Sequence, residues 1–177
     1  VFALGIDPGL SRCGYGAVER ARGDLHAVGA GVIRTPTDDP LAERLASLLG
    51  ELRGLMVEWR PDVVVVERVL FQANARTAMS VGQASGMALV AAAEVGCPVV
   101  QYSPNEVKQA VAGYGSATKE QVQRMVQSLL RLAERPRPPD TADALALAIC
   151  HLTGAPLRAA VAAASAVGPA GPPRTGS

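Results

Sequence analysis

Over the first third of the chain, apolar residues alternate with small or polar ones in three short stretches: residues 2 to 7, 14 to 20 and about 25 to 34. That is the period of half-buried strands, and the links Pro8-Gly9 and Arg22-Gly23-Asp24 are short enough for an antiparallel meander. The period then changes. From Asp39-Pro40 onward, Leu41, Leu45, Leu48, Leu49, Leu52, Leu55, Met56 and Trp59 recur at the spacing of one helical face, and Pro61 ends the helix. Asp62 to Glu67 holds Val63 to Val66 in a row, the pattern of a strand buried on both faces. Asn74 can cap a long helix to about Val95. Its small residues Ala78, Gly82, Ser85, Gly86 and Ala88 allow a close approach either to the sheet or to a second copy of the chain.

Cys97 to Tyr102 reads as a short strand. Ser103-Pro104-Asn105-Glu106 and Thr118-Lys119-Glu120-Gln121 are capping boxes that open helices to about Ala112 and Leu132, and a last helix begins near Asp140. Three strands, helix, strand, helix, strand, helices is the order of an α/β ribonuclease H-like fold, a mixed five-stranded sheet with helices on both faces. Residues 1–154 form this domain. From about Ala155 to the end of the sequence at 177 the chain turns Ala-rich and then Gly-Pro-rich, which predicts a fraying helix followed by disorder.

Four acids stand at informative places on this scaffold. Asp7 and Glu67 each close an apolar run, so two adjacent strands would aim them at one point at the carboxyl edge of the sheet, where open α/β folds place their ligands. Asp140 and Asp143 are three apart at the start of the last helix and share one of its faces. Taken singly, each has an ordinary explanation: Asp7 before Pro8-Gly9 opens a turn, Asp140 or Thr141 caps a helix, and Glu67 ends a strand in solvent. The combination is what is specific. Four carboxylates in a small volume repel unless a cation neutralises them, and an all-oxygen set without His or Cys suits Mg²⁺ or Mn²⁺ and disfavours zinc. His26 and His151 both read as structural histidines.

Composition narrows the setting. The chain has 177 residues, 49% of them hydrophobic and 19% charged, as in an ordinary globular domain, and its apolar runs are too short to span a bilayer. Cys13, Cys97 and Cys150 are an odd, widely spaced set, and no signal-like segment opens the sequence, so a reducing cytoplasm and no membrane are expected. The net charge of +1 hides an uneven spread: residues 1–67 carry 7 Lys/Arg and 10 Asp/Glu, whereas 68–137 carry 8 and 4. Arg68, Arg76, Lys108, Lys119, Arg124, Arg131, Arg135 and Arg137 could thus track a phosphate backbone around the acids, or simply be solvated helix faces.

Gly5-Ile6-Asp7-Pro8-Gly9, Gly14-Tyr15-Gly16, Val66-Glu67, Asn74, Gly82-Gln83-Ala84-Ser85-Gly86, Val107-Lys108-Gln109, Gly113-Tyr114-Gly115, Lys119 and Asp140-Thr141-Ala142-Asp143-Ala144-Leu145-Ala146 closely resemble the RuvC family of bacterial Holliday junction resolvases. The resemblance runs in order over roughly 1–154. It implies a homodimeric endonuclease that cuts four-way DNA junctions by paired nicks with Mg²⁺ or Mn²⁺, two ions per site, in partnership with the RuvA and RuvB branch-migration proteins. It makes Asp7, Glu67, Asp140 and Asp143 the metal-binding catalytic acids. Lys119 joins the catalytic set, and with Lys108 it contacts the cleaved strand's phosphates. The family often carries an aromatic three residues after the catalytic glutamate, to stack on a junction base. Here that position is Leu70 and the aromatic is Phe71, so either side chain is a candidate wedge. Arg68, Asn74 and Arg76 complete the candidate DNA contacts.

Two other classes fit parts of the pattern. An actin-like or sugar-kinase-like ATPase also opens with Gly-Ile-Asp-x-Gly, but closes two domains over its nucleotide, and this chain has room for one. A ribonuclease H-like nuclease acting on another branched DNA or RNA substrate would use the same acids.

Overall fold

The computed structural model describes residues 1–69 and 75–166, with side chains over 1–69 and 77–154. Three strands come first: β1 (Phe2–Asp7), β2 (Arg12–Ala21) and β3 (Asp24–Arg34). Helix α1 (Leu41–Trp59), β4 (Val63–Glu67), α2 (Ala75–Glu94) and β5 (Val99–Tyr102) follow, then α3 (Pro104–Ala112), α4 (Lys119–Leu129) and α5 (Pro139–Ala166). The strands form one mixed sheet in the order β3-β2-β1-β4-β5, antiparallel on the β3-β2-β1 side and parallel from β1 through β4 to β5. This is the predicted fold class.

The sheet is buried on both faces, and the pleat decides which residue serves which core. Leu4, Ile6, Val64 and Val66 face α1 and α2, together with Leu48, Leu52 and Met56 of α1. Ala3, Val63 and Val65 face the other way, into a core with α3, α4 and α5. With a period of two, Gly5 and Asp7 of β1 and Glu67 of β4 belong to the α5 face.

Glycine determines how close α5 comes. A Cβ on Gly5 would stand 2.0 Å from the carbonyl oxygen of Ala144, one on Gly14 2.3 Å from that of Asp140, and one on Gly16 2.7 Å from the amide nitrogen of Leu145. Three glycines on β1 and β2, two of them register partners, therefore let the helix backbone lie directly on the sheet.

Several boundaries differ from the sequence reading. α4 stops at Leu129 rather than about Leu132, because Arg131 turns into the left-handed region (φ 52) and Gln127 donates its side-chain amide to the carbonyls of Leu132 and Ala133. α5 opens at Pro139, so neither Asp140 nor Thr141 is its cap; both lie inside the first turn. It continues past Ala155 to Ala166, and the rest of the predicted tail lies outside the described residues.

The small residues of α2 divide between two faces. Ala84, Ser85, Ala88, Ala91 and Ala92 are buried, whereas nothing lies within 4 Å of a Cβ built on Gly82 or Gly86. Sheet packing thus accounts for the alanines and the serine, not for the glycines. His26 is exposed on edge strand β3 rather than enclosed, while His151 is 3.1 Å from the Tyr102 hydroxyl and is structural as predicted.

Among the described residues, the one buried side-chain polar atom without a partner is the Thr141 hydroxyl, on a residue 5% exposed. An unmatched buried hydroxyl costs roughly 1 kcal/mol or more. Thr141→Val is expected to raise the thermal midpoint by a few degrees; a lower midpoint would mean that an ordered water satisfies the hydroxyl.

Candidate active site

β1 and β4 pair in parallel with Ile6 beside Val66, so the next residues, Asp7 and Glu67, emerge side by side at the carboxyl edge of the sheet. The start of α5 is held against that edge by the contacts of Gly14 with Asp140 and of Gly5 with Ala144, which brings Asp143, between them, to the two acids. Lys108 comes from α3 and Lys119 from the first position of α4. Both helices start where their capping boxes fix them: Ser103 Oγ accepts from the Glu106 amide, and Thr118 Oγ1 from the Gln121 amide. Asp7, Glu67, Asp143, Lys108 and Lys119 line one cleft of about 340 Å³, floored by Val107, Val122, Ala146 and Leu147.

The electrostatics are those of crowded acids. Burial, reinforced by the neighbouring charges of Glu67, Asp143 and Asp140 and only partly offset by Lys119, pushes the Asp7 carboxyl up to about 7. Glu67 is raised by burial and by Asp143, against the pull of Lys119 and Lys108. Asp143 is raised as well, because burial and Asp140 outweigh its ion pair with Lys119. Burial pulls the Lys119 ammonium down, but its hydrogen bond to Asp143 and the charges of Asp143, Asp7 and Asp140 more than reverse this. Cys13 lies close by, but burial foremost pushes its thiol up to about 12, so it stays protonated and inert.

The two acids of α5 are each drawn to a cation. Lys119 Nζ is 2.5 Å from Asp143 Oδ2, and Arg12 Nη2 is 2.5 Å from Asp140 Oδ2. Asp140 consequently stands beside the cleft rather than in its lining. Among the described residues, no three His, Cys, Asp or Glu gather tightly enough to hold an ion. The sequence reading missed Arg12. Its only signal was two places away, in Gly14, whose missing side chain marks a face against which something packs closely.

Of the other candidate DNA contacts, Arg68 is exposed, just past Glu67, and donates to the carbonyl of Gln101 at 3.3 Å. Leu70, Phe71, Asn74 and the side chain of Arg76 lie outside the described residues. Part of the basic segment is committed elsewhere. Arg124 and Arg135 both pair with Glu120, at 2.7 and 3.4 Å, and Arg131 pairs with Asp24 at 3.1 Å. For those three, the solvated-face reading is the better one.

Residues 3–151 match the family described as Crossover junction endodeoxyribonuclease RuvC. The crossover junction endodeoxyribonuclease RuvC of Moorella thermoacetica is 52% identical over 158 residues, covering 89% of this chain and 95% of that one. Among solved structures, Thermus thermophilus RuvC superimposes with a TM-score of 0.82 at 38% identity, over 89% of this chain and 97% of the other. T. thermophilus RuvC in complex with a Holliday junction substrate gives a TM-score of 0.84 at 39% identity, over 89% and 96%.

Proposed function

The chain belongs to the crossover junction endodeoxyribonuclease RuvC family and is a Holliday junction resolvase, and from that premise we propose that it cuts through a divalent-metal site held by Asp7, Glu67, Asp140 and Asp143. The observation that carries the proposal is the convergence of Asp7, Glu67 and Asp143 with Lys108 and Lys119 on one cleft. The donor set fits the ion. It is all oxygen and half-buried, and burial, then the crowded charges of Glu67, Asp143 and Asp140, hold the Asp7 carboxyl high, a cost that a bound cation would relieve.

Mg²⁺ or Mn²⁺, two per site, would supply Lewis-acid stabilisation of charge on the scissile phosphate and a more acidic water at neutral pH. The chain's own residues do the rest. Asp7 and Glu67, fixed by adjacent strands, would hold the ion at the sheet edge, while Lys108 and Lys119 offset the charge of the reacting phosphate from α3 and α4. Asp143 would be one of the residues holding the ion, and its partner Lys119 lies where it can offset charge on the phosphate. The apolar floor of Val107, Val122, Ala146 and Leu147 limits water around these groups and strengthens each interaction.

A symmetric pair of nicks needs two such clefts related by a two-fold axis, and we assign the second to a second copy of the chain. The outward stripe of α2 supports this: Met79, Leu89 and Val90 are 64%, 37% and 43% exposed, with Gly82 and Gly86 open between them. Assembly with RuvA and RuvB belongs to the same proposal, and co-sedimentation of the three on a junction tests it. Among the described residues no helix is long and apolar enough to cross a membrane. A junction-DNA substrate supports a cytoplasmic enzyme, which belongs to the same proposal.

The test is nicking of a mobile four-way junction beside a linear duplex of the same sequence, in Mg²⁺, Mn²⁺ and EDTA. Paired nicks confined to the junction and lost in EDTA are expected. Undiminished cutting in EDTA would overturn the metal site.

A further inference from the structure

Counted along the sequence, the basic excess lies between residues 68 and 137. Folding nevertheless gathers three arginines of the acidic N-terminal third around the start of β2, where Arg12 meets Asp140. Arg12 opens β2, Arg34 is its cross-strand partner on β3, and Arg44 reaches in from α1. Directly opposed residues of an antiparallel pair project to the same face. That face is the one covered by α5, since Gly14, two residues on from Arg12, looks onto Asp140. The two arginines therefore share that face. Asp140 offsets Arg12, while Arg34 is exposed and has no ion pair among the described residues.

The turn carrying Arg12 is braced. Arg44 donates to Ser11 Oγ at 2.6 Å and to Thr35 Oγ1 at 3.1 Å, and the Thr35 hydroxyl, on a residue 4% exposed, donates to the Leu10 carbonyl at 2.5 Å. These bonds hold Leu10 and Ser11, and so fix where β2 begins.

Arg12 is thus the counterpart of Lys119. Each is a partly exposed cation, 43% for Arg12 and 62% for Lys119, closed onto one of the two acids near the start of α5. A divalent ion that takes Asp140 leaves the Arg12 guanidinium at the rim of the cleft, beside an unpaired Arg34. The anion that the reaction brings there is the DNA phosphate, which a guanidinium fork binds in two places at once.

We infer that Arg12 is a DNA-phosphate ligand held in reserve by Asp140: metal at the acids releases it, and with Arg34 it takes the junction backbone on the β2–β3 side of the cleft, while Lys108 and Lys119 approach from α3 and α4. This rests on the metal site proposed above.

The test is equilibrium binding of a synthetic four-way junction, by fluorescence anisotropy over a NaCl series, in EDTA and in Ca²⁺, a hard oxygen-seeking ion. In EDTA, wild type and Arg12→Gln are expected to share one slope of log Kobs against log[salt], because Arg12 is engaged with Asp140. In Ca²⁺ the variant's slope should be shallower by about one, the signature of one lost phosphate contact, and Arg12→Lys should restore it. Equal slopes for wild type and Arg12→Gln in Ca²⁺ would overturn the assignment. A deficit already present in EDTA would overturn the exchange, because Arg12 would then hold phosphate without release. Calorimetric titration of DNA-free protein with Mn²⁺ separates the two levels. No uptake by wild type would overturn the metal site and the exchange with it, whereas uptake alongside equal slopes would overturn the exchange alone.

Discussion

The Asp7→Asn variant is expected to lose junction cleavage by roughly 10³-fold or more in Mg²⁺ or Mn²⁺, yet to melt several degrees above the wild type in EDTA at pH 8. The two effects have one cause. Burial, with Glu67, Asp143 and Asp140 nearby, raises the Asp7 carboxyl from 3.8 to about 7, so the folded chain holds this proton more tightly than the unfolded one. Folded stability therefore falls as pH rises above about 4, and the whole loss is present above about 7. A shift of that size corresponds to about 4 kcal/mol. Asparagine removes the charge and with it most of the loss, but also removes an oxygen ligand that a metal requires. Thermal melts at pH 5 and pH 8 check the sign: the advantage of the variant should shrink at the lower pH and vanish when Mn²⁺ stabilises the wild type. A variant that melts below the wild type at pH 8 in EDTA would mean that the acids do not repel as argued. One that still cuts would remove Asp7 from the chemistry.

Gly5→Ala is expected to cost at least about 3 kcal/mol, a large part of the 5 to 15 kcal/mol typical of a domain, and to abolish cleavage. The new methyl would meet the Ala144 carbonyl oxygen at 2.0 Å and the Ala148 amide nitrogen at 3.0 Å. Those are backbone atoms of α5, so no side chain can swing aside, and the helix itself must lift. Lifting α5 carries Asp140 and Asp143 away from Asp7 and Glu67. Urea unfolding measures the first effect, and junction nicking of whatever folds measures the second. A variant of unchanged stability would show that α5 can move off the sheet freely, and that the site is not set by this contact.

Much of this was readable in advance because it is written in local periods. The spacing of Leu48, Leu52 and Met56 identifies a helix whatever lies beneath it, and Val63 to Val66 can only be a strand covered on both sides. The Ser103 and Thr118 boxes start their helices with side chains three residues apart, so the positions of Lys108 and Lys119 were fixed locally too. Asp7 and Glu67 were legible for the same reason: an acid that ends an apolar run has to emerge at the sheet edge.

The sequence by itself determined the elements, their order, and the acids and lysines that the edge of the sheet would gather. Which surfaces meet was decided only by the tertiary structure. The Arg12–Asp140 pair joins residues 128 apart, and Gly14, the one signal nearby, marks a closely packed face without naming what packs there. Gly5, Gly14 and Gly16 get their role only once α5 lies on them, and the small residues of α2, open between the sheet and a second copy, divide only when the alanines take the sheet side and leave Gly82 and Gly86 outside. Local periodicity encodes which side of an element is covered. What covers it, and which distant charge then comes within reach, depends on how all the elements pack at once.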